Sequence, residues 1–172
     1  MRAGLPAGQP VSVRQLRPDD WERFREIRLR ALAEAPVAFS STLAEALELG
    51  EAAWRARLAA RAQFVATVSS EAVGTAGGVV TESGPELISM WVDPRARGSG
   101  VGDRLVRAVL DWAAQQGFDS VLLWVASGNA AAERLYARHG FRRTGDVQAM
   151  TEGRPERCEI AMRRELRRDQ PT

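Results

Sequence analysis

The alternation of apolar and polar side chains along the sequence predicts a chain that mixes strands and helices. Residues Val11–Leu16 alternate with a period of two, which is typical of a half-buried strand. Pro18–Asp20 then place a proline and two acids where a helix start favours them. Apolar residues at near-helical spacing follow from Trp21 to Leu32, and a second, alanine-rich amphipathic helix is predicted over Leu43–Ala60.

The rest of the chain adds six predicted strands and two helices. One helix follows a glycine-rich segment and ends at Gly117, and the other spans Asn129–Arg138. The order β-α-α-β-β-β-α-β-α-β-β combines an antiparallel meander with strand–helix–strand crossovers. We therefore predict one α/β domain, with a mixed, mostly antiparallel sheet of about seven strands flanked by about four helices. The six strands are predicted over Phe64–Val68, Val73–Thr81, Leu87–Val92, Val121–Val125, Phe141–Met150 and Arg157–Arg164, with a turn at Glu152–Gly153 before the last.

The ends of the sequence differ from its middle. Residues 1–10 hold two glycines and two prolines and are predicted to form a flexible arm, residues 11–166 the domain, and residues 167–172 a frayed tail. The N-terminus lacks the apolar stretch of a signal peptide, and no segment approaches the roughly 18 apolar residues of a membrane span. We expect a cytoplasmic protein that does not bind membranes.

The composition of the 172 residues excludes several kinds of chemistry. All 24 basic residues are arginines, and the absence of lysine excludes a P-loop and Schiff-base catalysis. The single cysteine, Cys158, cannot form an internal disulfide, and the single histidine, His139, cannot anchor a His/Cys zinc site. We expect no metal. Cys158 is interpreted as a small buried residue, and His139 as a favourable cation at a helix C-terminus.

A glycine-rich loop joins a buried strand to the start of a helix and carries the clearest chemical signal. Its glycines alternate with other residues at Gly98, Gly100 and Gly102. Free backbone N–H groups and the positive end of the helix dipole meet there, which predicts an anion site. Arg95, Arg97 and Arg104 could add charged donors. The spacing departs from the dinucleotide fingerprint, which has a glycine at the position of Asp103, and a plain tight turn is the alternative.

A second block follows the next buried strand and reads Asn129-x-x-Ala-x-x-Leu-Tyr136-x-x-x-Gly140-Phe141. Together with Arg97-Gly-x-Gly-x-Gly102 it resembles the two signature blocks of the GNAT superfamily of acetyl-CoA-dependent N-acetyltransferases, and the resemblance covers nearly the whole chain. It implies the GNAT fold, acetyl-CoA as cosubstrate, and transfer of the acetyl group to a primary amine of a small molecule or peptide. It also implies direct attack of the amine, without a covalent enzyme intermediate.

The resemblance also assigns binding residues. The preceding strand should part from its neighbour after Ser120, so that its end exposes backbone groups to the pantetheine arm, and the amide of Val92 should polarise the acetyl carbonyl. Asn129 either contacts the pantetheine or only caps its helix. The implied cofactor-binding residues are Met90, Trp91, Val92, Arg97, Gly98, Ser99, Gly100, Val101, Gly102, Asp103, Asn129 and Tyr136.

Tyr136 is the implied catalytic residue, because it occupies the Leu-Tyr position of the family. Its hydroxyl would reprotonate the leaving thiolate as a general acid, or hydrogen-bond the sulfur. The alternative is an amphipathic core residue.

No general base is assigned. Trp124 stands where related ribosomal-protein acetyltransferases carry a glutamate, and a tryptophan cannot accept a proton. The remaining candidates are Glu86 and Ser89 on one strand, Glu45 and Glu48 on the second helix, and a water chain.

The charge distribution distinguishes the two halves of the chain. Residues 1–93 carry 10 arginines and 12 acids, whereas residues 94–172 carry 14 arginines and 10 acids. The basic half contains the anion loop, and the slightly acidic half contains the helices expected to wall the acceptor site, which suits a cationic amine. Three aromatic residues could shape an apolar acceptor pocket: Trp21, Phe39 and Trp54.

Two other functions stay open on the sequence alone. The first is an acetyl-CoA sensor of the same fold that does not turn the ligand over. The second is nucleic-acid binding, suggested by the pI of 9.4 and by Arg163–Arg168; the acids and missing aromatics there disfavour it, so we expect no nucleic-acid partner. A homodimer is possible, as in relatives.

Overall fold

The computed structural model describes residues 10–150 and 158–166. The predicted arm (apart from Pro10), the tail at 167–172 and the turn at Glu152–Gly153 lie outside the described residues. Seven strands and five α-helices follow one another in the predicted order, apart from one additional helix. The strands are β1 Ser12–Leu16, β2 Ala62–Val68, β3 Glu71–Thr81, β4 Gly84–Val92, β5 Ser120–Ala126, β6 Arg142–Ala149 and β7 Cys158–Glu165. The helices are α1 Trp21–Glu34, α2 Leu43–Leu47, α3 Glu51–Ala59, α4 Val101–Gln115 and α5 Ala130–Arg138, with single 3-10 turns at Pro18–Asp20, Pro36–Ala38 and Pro94–Ala96.

The predicted helix over Leu43–Ala60 is two helices in the structure. Thr42 and Glu45 form a capping box at the start of α2, and Gly50 is the N-cap of α3 in extended backbone. The indole Nε1 of Trp54 donates to the carbonyl of Leu49 at 3.2 Å, so a carbonyl left free by the break has a partner. The alanine-rich pattern continues across this break, which is why periodicity alone predicted one helix.

All seven strands form one sheet, in the order β1-β2-β3-β4-β5-β7-β6. Every neighbouring pair is antiparallel except β4 and β5, which confirms the predicted mixed, mostly antiparallel sheet. The β4–β5 pairing covers only Glu86 with Leu122 and Leu87 with Leu123, although both strands continue beyond it. The two strands therefore part, as predicted, but after Leu123 and not directly after Ser120.

A bulge precedes the free end of β4. Thr75 of β3 pairs with Trp91 and Gly77 pairs with Ile88, so Ser89 and Met90 together face a single residue of β3. Ser89 has a φ of +56°, which is costly for a residue with a side chain. The bulge therefore bends β4 at the point where it leaves β5.

The sheet carries a separate hydrophobic core on each face. On one face, α4 buries a stripe that includes Leu105, Val106 and Val109. On the other face, α1 and α3 bury Phe24 and Trp54, whose rings meet edge to face at 5.4 Å between centroids. No helix among the described residues has the length and apolar character needed to cross a bilayer.

Candidate active site

The gap between β4 and β5 opens into a cavity of about 530 Å³. Its walls come from the C-terminal end of α1 and the turn after it, the end of β4, the glycine loop, the first turn of α4, and one face along the length of α5. Nine of the predicted binding residues line it: Met90, Trp91, Val92, Arg97, Gly98, Gly100, Gly102, Asp103 and Asn129. The structure therefore brings both sequence blocks to one site.

Asp93 fixes the start of the glycine loop. Its Oδ1 accepts from the backbone N–H of Arg95 at 2.9 Å and from Nε of that arginine at 3.1 Å, and its Oδ2 accepts from Nη2 of Arg30 at 2.5 Å. These donors, led by the Arg95 side chain, lower the pKa of the Asp93 carboxyl from 3.8 to about 2. Arg95 also pairs with Glu71. The Arg95 guanidinium thus holds the loop in place. The sequence had instead suggested that Arg95 donates to a bound anion.

The glycines shape the predicted anion site, here called the cradle and formed by Gly98–Gly102, in two ways. Gly98 and Gly100 have φ of +77° and +84°, and a Cβ on either would point into open space. Gly102 has ordinary backbone angles, but a Cβ there would lie 3.0 Å from the Leu135 side chain. The first two glycines therefore keep the face of the loop open, and the third lets α4 approach α5 closely. Arg104, expected as a further donor, lines a separate depression beside β1 instead.

The backbone of Val92 faces the cavity. The N–H of Asp93 donates to Val73 of β3 at 2.8 Å, and the Val92 carbonyl lies on the opposite side of the same trans peptide. In an extended strand, the N–H of a residue points the same way as its own carbonyl. Both backbone groups of Val92 are therefore directed away from β3, toward the gap.

Asp103 and its partners close the site at α5. The His139 Nε2 atom lies 2.9 Å from Oδ1 of Asp103, and Nη2 of Arg138 lies 3.2 Å from Oδ2. The side chains of His139 and Arg138 lower the pKa of Asp103, despite the opposing desolvation by burial. His139 is the C-cap of α5 and only 7% exposed, so it has the predicted place at a helix end and also connects α5 to α4.

Asn129 serves as the N-cap of α5 and also lines the cavity. Its side-chain oxygen accepts from the N–H of Ala132 at 3.2 Å. Capping and ligand contact are thus compatible at this residue.

Three predicted binding residues do not line the cavity. Val101 is fully buried in the core, and the Ser99 hydroxyl donates back to the carbonyl of Ala96 at 2.5 Å. Tyr136 is 5% exposed and its ring packs against Phe141, with centroids 5.9 Å apart. Burial raises the pKa of its hydroxyl well above the usual value.

The candidate base residues do not line the cavity either. Glu45 accepts from the N–H of Thr42, and this capping hydrogen bond lowers its pKa. Glu86 accepts from the Thr81 hydroxyl at the start of β4. Of the three expected acceptor-site aromatics, Phe39 lines the cavity, whereas Trp21 and Trp54 pack in the core.

Sequence reasoning missed two charged residues of the cavity wall, Arg138 and Glu34, the last residue of α1. Its carboxylate accepts from Trp91 Nε1 at 2.9 Å and from Arg97 Nη2 at 2.8 Å. The sequence signal for it is weak, because an acid at the end of a surface helix is usually solvated.

A second cavity of about 510 Å³ adjoins the first, since Val37, Ala38 and Asn129 line both. Its remaining wall includes Met150 and Cys158, so Cys158 is half-buried at a cavity rather than fully enclosed. The two cavities therefore meet at the turn after α1 and at the start of α5.

Comparison with known proteins agrees with this geometry. Residues 15–141 match the model of the acetyltransferase (GNAT) family. The chain is 34% identical over 154 residues to a mycothiol acetyltransferase of Thermobispora bispora, covering 83% of this chain and 50% of the relative. It is also 34% identical over 130 residues to mouse probable N-acetyltransferase family 8 member 5, covering 71% and 56%. The chain thus spans about half the length of these curated relatives.

Among solved structures, a putative acetyltransferase from Salmonella typhimurium, determined with its cofactor acetyl-CoA, shares the fold. The TM-score is 0.75 at 21% identity, with 95% of this chain and 98% of that one covered. The split sheet and the glycine loop at its gap are those of an acetyltransferase fold. The chain belongs to the acetyltransferase (GNAT) family.

Replacing Gly100 with alanine should separate ligand binding from stability. A residue with a side chain at this positive φ costs about 1 kcal/mol of unfolding free energy, and the Cβ would enter the open face of the loop. We expect Gly100→Ala to weaken acetyl-CoA binding about tenfold, as for the loss of one net hydrogen bond, measured by calorimetry. The matched control is Gly117→Ala, which has a φ of +81° and equally open surroundings beyond α4. Equal effects of the two variants on affinity would contradict the binding of acetyl-CoA at the cradle.

Asp93 should contribute to stability only above the pH at which it titrates. Its folded pKa of about 2 lies below the ordinary value of 3.8, so its stabilisation is present above about pH 4 and is lost as the pH falls through 2. We expect Asp93→Asn to cost about 2 kcal/mol at pH 7 and progressively less between pH 4 and pH 2, measured by urea unfolding. Asp111→Asn on the exposed face of α4 is the control. A cost that does not change with pH would refute the ionic network.

Proposed function

We propose that this protein transfers the acetyl group of acetyl-CoA to a primary amine of a small molecule or peptide. The observation that carries the proposal is the meeting, in one cavity, of the open glycine cradle and the inward-facing backbone of Val92. The cradle provides amide donors for a pyrophosphate, and the free strand end provides backbone groups for an extended, amide-containing arm.

The residues present fit acetyl-CoA. Gly98 and Gly100 leave room at the cradle that side chains would fill, and the first turn of α4 presents unpaired N–H groups there. When bound, acetyl-CoA supplies an activated acetyl thioester. The N–H of Val92 then donates to the acetyl carbonyl oxygen and stabilises the negative charge that develops on it, an effect typically worth about 3 kcal/mol.

The acceptor amine enters from the side of α1 and the turn that follows it, where Phe39 offers an apolar wall. The amine attacks the acetyl group directly, and the rate enhancement comes mainly from holding the two groups side by side. None of the candidate base side chains predicted from sequence lies on the cavity wall, and solvent in the cavity takes the amine proton in this proposal.

Acetyl-CoA binding and transfer test the proposal in two steps. A saturating ligand at about 100 times its dissociation constant should stabilise the fold by about 2.7 kcal/mol, seen as a thermal shift. Release of free thiol is then followed with phenethylamine, spermidine, an aminoglycoside and a peptide that begins with alanine. Because the sequence has no lysine, acetylation of the enzyme on lysine cannot mimic transfer. We expect a shift and transfer to at least one amine.

Absence of a thermal shift at millimolar acetyl-CoA would overturn the proposal. A shift without transfer to any of the four acceptor classes would favour the sensor function that the sequence leaves open.

Tyr136 is proposed as the proton donor to the leaving thiolate. Support comes from its place on α5, in the same sequence block as the cavity-lining Asn129, and from a raised pKa, which keeps the phenol protonated at neutral pH. The hydroxyl either transfers this proton to the thiolate or donates a hydrogen bond to the sulfur.

We therefore expect Tyr136→Phe to lower kcat about tenfold, the value of one net hydrogen bond, and to leave acetyl-CoA affinity within about twofold. Phe141→Leu, which alters the same ring packing without removing a hydroxyl, is the control. Unchanged kcat in Tyr136→Phe would assign the residue to packing alone.

A further inference from the structure

Arg97 connects the anion loop to the opposite wall of the cavity. Its Nε donates to the Val92 carbonyl at 3.0 Å, and its Nη2 donates to Oε2 of Glu34 at 2.8 Å. One guanidinium thus covers both the backbone group at the free end of β4 and the carboxylate at the end of α1. Both groups belong to the space that the proposed reaction requires.

We propose that the Glu34 carboxylate is the subsite for the ammonium group of the acceptor, and that Arg97 occupies it until the phosphates of acetyl-CoA draw the guanidinium away. This inference rests on the proposed function and names the chemistry of acceptor recognition within it.

Arg97 is suited to exchange partners. Its side chain is 52% exposed, so it can move at little packing cost, and an exposed ion pair contributes little stability. It belongs to the loop whose amides form the cradle, and an arginine binds phosphate oxygens through paired hydrogen bonds. A pyrophosphate in the cradle therefore competes directly with Glu34 for this guanidinium.

Glu34 stays in place when Arg97 leaves. The indole of Trp91, itself 5% exposed, holds the same carboxylate oxygen at 2.9 Å. Arg97 is the cation that pairs with Glu34 among residues 10–150 and 158–166, and the other arginine of the cavity wall, Arg138, is paired with Asp103.

The surroundings of Glu34 then favour a cation. The Glu34 side chain is 31% exposed and lies at the C-terminal end of α1, where the helix dipole adds negative potential. An acceptor ammonium placed there restores the lost charge pairing beside the Val92 backbone that orients the acetyl group. It attacks only after it has given one proton to the solvent of the cavity, because the protonated nitrogen has no lone pair. Binding of the two substrates is therefore coupled through one arginine.

A double-mutant cycle on acetyl-CoA affinity tests the exchange. By calorimetry, Arg97→Gln should weaken binding about tenfold, the loss of a charge-assisted hydrogen bond. Glu34→Gln should strengthen it about threefold to tenfold, because the guanidinium no longer has to leave a partner. In the Arg97→Gln background, Glu34→Gln should change affinity by less than about twofold.

Glu71→Gln is the matched control, since Glu71 is an acid that pairs with a different arginine of the same loop, Arg95. It separates the specific exchange from a general reduction of negative charge near the phosphates. Additive effects in the cycle, or an equal gain from Glu71→Gln, would overturn the proposed exchange.

The ammonium subsite is tested without turnover. Binding of phenethylammonium and of its uncharged counterpart 2-phenylethanol is titrated by NMR, with the free protein and with the protein saturated with coenzyme A. We expect coenzyme A to raise the affinity for the ammonium at least about threefold more than that for the alcohol, and Glu34→Gln to abolish this difference. Equal gains for both probes, no gain for either, or a difference that survives Glu34→Gln would refute the subsite.

These outcomes are distinct from failure of the proposed function. If acetyl-CoA and coenzyme A do not bind, both proposals fall. If they bind and the cycle is additive, only the inference about Glu34 and Arg97 is wrong.

Discussion

The site depends on a hydrogen-bond ladder that stops after two residue pairs. Beyond Leu87 and Leu123, β4 and β5 no longer pair, and the bulge at Ser89 bends β4 away. Backbone groups at the end of an interior strand are thereby left for other partners, and buried polar groups need partners. The Arg97 side chain meets this need at the Val92 carbonyl. A ligand with amide groups of its own could meet it equally well.

Most charged residues around this gap are held in pairs within the protein, whereas Arg97 is the one that we propose to move. Asp93 with Arg30 and Arg95, and Asp103 with His139 and Arg138, are paired within the protein and hold the loop and α5 in position. The anion cradle itself consists mainly of backbone amides, which need no reorganisation to receive a phosphate. Of the arginines near the gap, Arg95 and Arg138 therefore serve the framework of the site.

Local sequence signals predicted most of the fold and the position of the site. The strand–glycine loop–helix unit and the Asn129 block lie where the sequence placed them, because both depend on short-range backbone chemistry. The break at Gly50 could not be predicted, since it depends on Trp54 reaching the Leu49 carbonyl from the next helix. The bulge at Ser89 arises from register with β3, and the contact of Glu34 with Arg97 joins residues that are 63 positions apart. Such features follow from tertiary packing, which the periodicity of the sequence does not predict.

The same distinction explains why the sequence singled out Tyr136 and not Glu34, whereas in the structure Glu34 lines the cavity and Tyr136 does not. Tyr136 stands in a conspicuous motif, yet its ring lies in the core against Phe141, where it also helps to position α5. Glu34 stands in no motif, yet it lines the cavity because α1 ends there, two residues before the chain turns at Pro36. A motif identifies residues that the backbone geometry requires, whereas Glu34, the proposed acceptor subsite, lies on a wall that packing brings to the gap. Under that proposal, the acceptor preference of this protein depends on where α1 ends and on which side chain it ends with.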